Sequence, residues 1–159
     1  MRIAWLRDHP WHVDALAAAH VEAFGALLPD WTLAQAAGEL RSHTRACAIP
    51  STLLALDASG DWLGSVSLLQ EDHEHIRQYS PWLASLYVRP QARGQGVGAA
   101  LVARCVAEAA ALGVARLYLY CTGTVADWYR RLGWRDHATV VLGPLQVQVM
   151  AVDCAGPER

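Results

Sequence analysis

The chain has 159 residues, of which 53% are hydrophobic and 18% charged, and carries a formal net charge of −2 at pH 7. That length and composition suit one domain with a buried core and exclude a disordered chain. A pI near 6.4 leaves no general basic field for nucleic acid or an anionic membrane surface, so the expected partners are small molecules.

The opening residues Met1 to Asp8 lack a basic stretch followed by an apolar core of roughly 7 to 15 residues, the mark of a secretory leader. No apolar run approaches the roughly 18 residues of a membrane span, and a cytoplasmic protein is expected. Cys47, Cys105, Cys121 and Cys154 form no C-x-x-C pair and read as reduced thiols. Ile3 to Leu6 reads as a first strand. Pro10 opens a helical run to about Leu27, with Val13, Leu16, Ala17, His20, Val21 and Phe24 on one face, and Pro29 ends it. Thr32 reads as the N-cap of a second helix reaching about Cys47, with Leu33, Ala36, Ala37 and Leu40 as its apolar face.

Ser51 to Leu56 and Trp62 to Leu69 are expected to form a hairpin around Asp57 to Asp61, whose glycine and aspartates supply turn chemistry. Gln70 to Ser80 is too polar for a core element and reads as a loop or an extended strand end. Trp82 to Val88 is the next strand, and a helix from about Gly96 to Leu112 turns Leu101, Val102, Cys105, Val106, Ala109 and Leu112 inward, with Gly113 as its stop. A strand at Leu117 to Cys121, a short helix over Val125 to Leu132, and strands near Trp134 to Leu142 and Gln146 to Val152 complete an α+β (mixed α/β) domain over residues 1–154. Residues 155–159 read as a frayed tail.

The most informative stretch is Val88 to Leu101, where a strand runs through a glycine-rich loop into a helix. Gly94, Gly96 and Gly98 let the main chain approach a ligand, while the unpaired N–H groups of the first helical turn and the helix dipole favour a phosphate or diphosphate. A Walker loop is excluded because Ala99 and Ala100 follow Gly98 where Lys and Ser/Thr are needed. A dinucleotide fingerprint fails too, since the spacing is G-x-G-x-G and the acidic residue due about 20 positions on is replaced by Arg116-Leu117-Tyr118-Leu119-Tyr120.

The string Arg93-Gly94-Gln95-Gly96-Val97-Gly98, preceded by Val88-Arg89-Pro90, resembles the R/Q-x-x-G-x-G/A signature of the GNAT superfamily of acyl-CoA-dependent N-acyltransferases. Ala126-Asp127-Trp128-Tyr129-Arg130-Arg131-Leu132-Gly133-Trp134 resembles that family's A-x-x-[FLW]-Y-x-x-[LF]-G-[FW] segment. The resemblance implies a GNAT fold: a mostly antiparallel sheet of six or seven strands, splayed between the fourth and fifth, with about four helices. It implies acetyl-CoA as cosubstrate and no metal. The diphosphate would lie on Arg93, Gly94, Gln95, Gly96, Val97, Gly98 and Ala99, and the pantetheine arm along Leu86, Tyr87 and Val88, with Arg131 helping to neutralise phosphate. A main-chain N–H near Leu86 would stabilise the thioester oxyanion. Tyr129 matches the family's phenol that protonates the leaving thiolate. With a pKa of about 10 against about 8.5 for a thiol, a tyrosine donates without tuning.

The family's strand glutamate has no counterpart in Pro81-Trp82-Leu83-Ala84. The nearest proton acceptors are Glu71, Asp72, His73, Glu74 and His75, a cluster that reads equally as a solvated loop; Asp72, His73 and Glu74 are the candidates taken forward. A metal site on His73-x-His75 finds no further ligand pair of suitable spacing. Trp31, Tyr79 and Trp82 are candidate acceptor-pocket residues, and His20 reads as a buried, hydrogen-bonded imidazole.

The resulting expectation is an N-acetyltransferase in which a primary amine attacks the thioester directly in a ternary complex. The missing glutamate keeps a second possibility open, a non-catalytic acyl-CoA-binding module, and a longer acyl donor is a third. The acceptor is a small-molecule amine or a protein or peptide amine, and the acidic loop favours a cation. A homodimer through the C-terminal strands is an assembly that the resemblance allows.

Overall fold

The computed structural model describes residues 1–28, 30–73 and 76–154. Seven strands form one sheet: β1 (Arg2–Trp5), β2 (Ser51–Leu56), β3 (Trp62–Leu69), β4 (Trp82–Val88), β5 (Arg116–Cys121), β6 (Arg135–Leu142) and β7 (Leu145–Asp153). Their order is β1-β2-β3-β4-β5-β7-β6. All neighbours are antiparallel except β4 and β5, which are parallel and meet at a single register pair, Trp82 with Tyr118. Beyond that pair the two strands diverge. The expected α+β fold with a sheet splayed between its fourth and fifth strands is present.

Four α-helices flank the sheet: α1 (Val13–Phe24), α2 (Leu33–Ser42), α3 (Val97–Ala111) and α4 (Gly123–Arg131). Strand alternation assigns them to faces. From β2, Leu53 and Ala55 join a core with α3 and α4, while Leu54 and Leu56 join one with α1 and α2. A third cluster of Ile76, Trp82, Leu142, Val147 and Val149 lies toward the β6–β7 hairpin. Among the described residues no helix is long and apolar enough to cross a membrane.

The first three helices are shorter than the periodicity suggests, while α4 begins two residues earlier than expected, at Gly123. Pro10–His12 and Gly25–Leu27 are 3₁₀ turns flanking α1, because proline supplies no N–H there and the chain tightens as the helix ends. Thr32 caps α2 in a full capping box: its hydroxyl accepts from the Gln35 N–H at 3.1 Å and its own N–H donates to Gln35 Oε1 at 2.9 Å. That helix stops at Ser42 rather than near Cys47, its last carbonyls taken by the His43 N–H and the Ser42 and Thr44 hydroxyls. Leu33 and Leu112, expected inward, are 54% and 38% exposed, since each stands at a helix end beyond the reach of the sheet. Pro29 and residues 155–159 lie outside the described residues.

One glycine sets how closely α3 lies on the sheet. A Cβ at Gly64 in β3 would stand 2.6 Å from the Tyr87 carbonyl oxygen and 3.2 Å from Leu101 Cδ1. Neither a paired strand nor a packed helix yields such space cheaply. Gly64→Ala is therefore expected to lose about 1–3 kcal/mol in urea unfolding. Gly38→Ala, where nothing lies within 4 Å, should instead gain roughly 0.5–1 kcal/mol from helix propensity.

Candidate active site

The glycine loop delivers what its spacing suggests. A 3₁₀ turn at Pro90–Ala92 leads to Gly94 and Gly96 with φ of 76° and 82°, left-handed values that side chains resist. Gly96 is the N-cap of the 15-residue α3, which has no side-chain cap. The Arg93 N–H is already bonded to the Pro90 carbonyl at 3.3 Å, so the expected cradle begins one residue later. From Gly94 to Ala99 the main-chain N–H groups find no acceptor among the described residues. Arg93 itself closes the turn: its Nε donates to the Val88 carbonyl at 2.9 Å and its guanidinium lies over the Tyr87 ring.

Beside this seat, β4 carries a β-bulge. Its partners on β3 step from Ser67 with Ala84 to Ser65 with Tyr87, and Ser85 between them has φ of 56°. The extra residue inverts the alternation. Leu83 belongs to the core under α3 and α4, and after the bulge Leu86 and Val88 pack against that same core while Tyr87 turns to the other side. The Tyr87 ring rests near Trp62 and His20, so only its main chain lies along the open edge. That edge, facing β5, has no paired residue in β4 after Trp82.

The opening continues into a cavity of about 1250 Å³ that passes between the diverging strands and is lined from both sheet faces. Ala84, Ser85 and Leu86 line it from β4, Tyr120 and Cys121 from β5, and Tyr129 from α4. His20 of α1, Glu39 of α2, His43 and Trp31 line it from the opposite face, and Asp72 and His73 come from the loop after β3. Glu74 and His75 lie outside the described residues. Tyr79 and Trp82 do not line the cavity; they stack with Tyr118 in the third cluster, where aromatic edges and faces pair. Arg131 is exposed and does not line the cavity. Its neighbour Arg130 is consumed by Asp127 and Asp136.

Tyr129 is 6% exposed, its ring edge-on to Trp128 and Trp134, and its hydroxyl has no hydrogen-bond partner among the described residues. Burial, with Cys121 and Cys105 nearby, raises its pKa, so the phenol stays protonated. Asp72 is partly accessible from the cavity, yet desolvation and then the charge of Glu39 push it up to about 7. His20 donates or accepts at Nε2 with the Ser65 hydroxyl, 3.1 Å away, the buried hydrogen-bonded imidazole expected. Burial and the proximity of His43 lower it to about 4, and burial lowers His43 as well, so both rings are neutral at pH 7. Among the described residues no group of three His, Cys, Asp or Glu side chains is placed to hold a metal ion.

Sequence reasoning missed Glu39, His43, Asp30 and the bulge at Ser85. Glu39 lies on the polar face of α2, and its only sequence signal is that an indole eight residues earlier can reach it. The Trp31 Nε1–H donates to Glu39 Oε1 at 3.2 Å.

A seven-stranded sheet split at its one parallel pair, with an uncapped glycine loop beside the split, defines the acyl-CoA-dependent acetyltransferase class. The chain belongs to the acetyltransferase (GNAT) family, whose model matches residues 13–134. It superposes on an aminoglycoside 6'-N-acetyltransferase complexed with coenzyme A with a TM-score of 0.76 at 15% identity, covering 100% of both chains. A ribosomal-protein-alanine N-acetyltransferase from Brucella melitensis gives 0.72 at 24% identity, over 96% of this chain and 99% of that one. A spermidine N-acetyltransferase chimera from Vibrio cholerae and hSSAT gives 0.72 at 16%, over 96% and 95%. At these identities the likeness is one of fold. No curated protein matches the sequence.

The raised Asp72 pKa has a consequence for stability. The unfolded carboxyl ionises near its ordinary 3.8 and the folded one near 7, so ionisation opposes folding. Its contribution is fully retained below about pH 3.8 and lost as pH rises through about 7. Asp72→Asn should raise the Tm relative to wild type at pH 8, and the gain should shrink toward pH 4 in scanning calorimetry. A gain equal at both pH values would mean that Asp72 is solvated like a surface carboxylate.

Proposed function

We propose that this protein is an N-acetyltransferase that transfers the acetyl group of acetyl-CoA to a primary amine by direct attack in a ternary complex. The observation that carries this reading is the run of unpaired N–H groups from Gly94 to Ala99 standing beside the open edge of β4. Such a run suits a diphosphate at a helix N-terminus, and the aligned first turn of α3 adds the dipole's positive end. Gly94, Gln95, Gly96, Val97, Gly98 and Ala99 would supply those donors, with Arg131 of α4, which forms no ion pair among the described residues, as the candidate cation. The pantetheine amides would pair with Leu86 to Val88 as an added strand does.

In this reading the Leu86 N–H faces the thioester oxygen and stabilises its developing charge. Asp72, poised near neutrality, removes a proton from the incoming ammonium, directly or with His73 beside it. The freed amine forms a carbon–nitrogen bond, the carbon–sulfur bond breaks, and the departing thiolate takes the proton of the Tyr129 hydroxyl. Bond formation leaves the nitrogen positive; its second proton passes to the phenolate and restores Tyr129, while Asp72 gives the first proton to solvent, so that each transfer releases one proton. Asp72 thereby fills the role left open by the missing strand carboxylate.

Thiol release from acetyl-CoA, followed over a panel of amines, tests this. Release should require an amine, and Tyr129→Phe should lower kcat by roughly a hundredfold or more. Because the base works ionised, kcat/KM should fall as pH drops through about 7, and Asp72→Asn should abolish that limb with most of the activity. Tight binding of coenzyme A with no amine-dependent release would instead establish a non-catalytic acyl-CoA-binding module.

A further inference from the structure

The charge of the acceptor is written on the wall opposite Tyr129. Asp30, Glu39, Glu71 and Asp72 line the cavity, and among the described residues no lysine or arginine does. Glu71 has a counter-ion, since Arg77 Nε stands 3.3 Å from its carboxylate. Asp30, Glu39 and Asp72 have no cationic partner among the described residues. Three imidazoles share the lining with them: His20 and His43, which carry no charge at pH 7, and His73 beside Asp72.

The proposed reaction uses one of these carboxylates, Asp72, to take one proton. Glu39 belongs to α2, whose core lies on the face of the sheet opposite that of α4 and Tyr129. It accepts a hydrogen bond from the Trp31 indole, and Trp31 lines the same cavity wall. A carboxylate held by a neutral donor beside a tryptophan ring is suited to an ammonium group through charge-assisted hydrogen bonding and cation–π attraction. The cavity, at about 1250 Å³, exceeds the roughly 300–1,000 Å³ of an ordinary small-molecule site, which leaves room for an extended acceptor.

We infer that the acceptor is a small molecule with at least two amino groups, one placed for acetylation and the other, still an ammonium, bound by Glu39 against Trp31. The inference rests on the acetyltransferase reading and narrows it. Glu39 is then the residue that sets specificity: it acts on acceptor binding and stays away from the reacting atoms. Asp30, at the entry to α2, adds a second negative charge on the same wall.

Two acceptors of matched length separate the possibilities, 1,5-diaminopentane and 1-aminopentane, with acetyl-CoA saturating. The wild-type protein should favour the diamine by about tenfold in kcat/KM, expressed in KM. Glu39→Gln should collapse that ratio to within about twofold, and Trp31→Phe, which keeps the ring but removes the N–H, should reduce it less. Any influence of Glu39 on the ionisation of Asp72 acts on both acceptors and cancels in the ratio. Equal use of the two amines by the wild type, or a ratio unchanged in Glu39→Gln, overturns the inference while leaving the acetyltransferase reading intact. If no amine releases thiol, that reading fails, and calorimetry with the coenzyme A complex decides the inference alone: the diamine should bind more tightly than the monoamine, and the preference should vanish in Glu39→Gln. Equal affinities overturn it.

Discussion

One extra residue in β4 governs the site. With Ser85 at a φ of 56°, the strand gains a bulge that reverses its alternation and bends it away from β5. A regular strand would keep Leu83, Ser85 and Tyr87 on one face and run alongside β5 for its whole length. Instead Leu83, Leu86 and Val88 share the core beneath α3, and the edge facing β5 goes unpaired after Trp82. An unpaired interior edge is costly unless something takes its hydrogen bonds. A ligand built with amides at intervals would meet that need, so in the proposed reading the same distortion that breaks the sheet would also make it a receptor.

The cavity behind the break is arranged so that neutral and charged forms sit where the proposed chemistry wants them. Burial favours the uncharged form of every group, but its effect depends on which form that is. For Tyr129 it preserves a proton to give. For Asp72 burial and Glu39 together lift ionisation to about 7, close to the working range of a general base. For His20 and His43 it removes positive charge that would otherwise neutralise the carboxylates. A single physical term, desolvation, thus sets three roles, and Glu39 supplies the electrostatic correction.

What could be read from the sequence was local. The glycine loop, the N-cap at Thr32 and the turn at Gly60 depend on backbone geometry within a few residues, and the tyrosine segment keeps its spacing along α4. The bulge at Ser85 was not legible, because Trp82-Leu83-Ala84-Ser85-Leu86-Tyr87-Val88 contains neither glycine nor proline and alternates acceptably in either register. Glu39 was hidden for another reason. On a helix whose polar face is expected to meet water, only the packing of α2 against α1 shows that one carboxylate faces a cavity. Tyr79 and Trp82 illustrate the converse error: large aromatics near a site attract functional readings, yet their rings are committed to the cluster around Tyr118 and His137.

The two ends of the proposed donor site are also joined mechanically. Gly98, in the first turn of α3, faces α4: a Cβ there would meet the Trp128 ring at 3.4 Å, an ordinary van der Waals contact. Trp128 in turn packs edge-on against Tyr129, with ring centroids 4.9 Å apart. The uncapped helix start that would hold a diphosphate therefore touches, through one indole, the phenol that would protonate the leaving thiol. Contacts in a close-packed core transmit displacement rather than absorb it. The third glycine of the loop accordingly differs from the first two: Gly94 and Gly96 shape the turn through their left-handed backbone, whereas Gly98 has no such backbone and stands where the start of α3 faces α4 at ordinary contact distance.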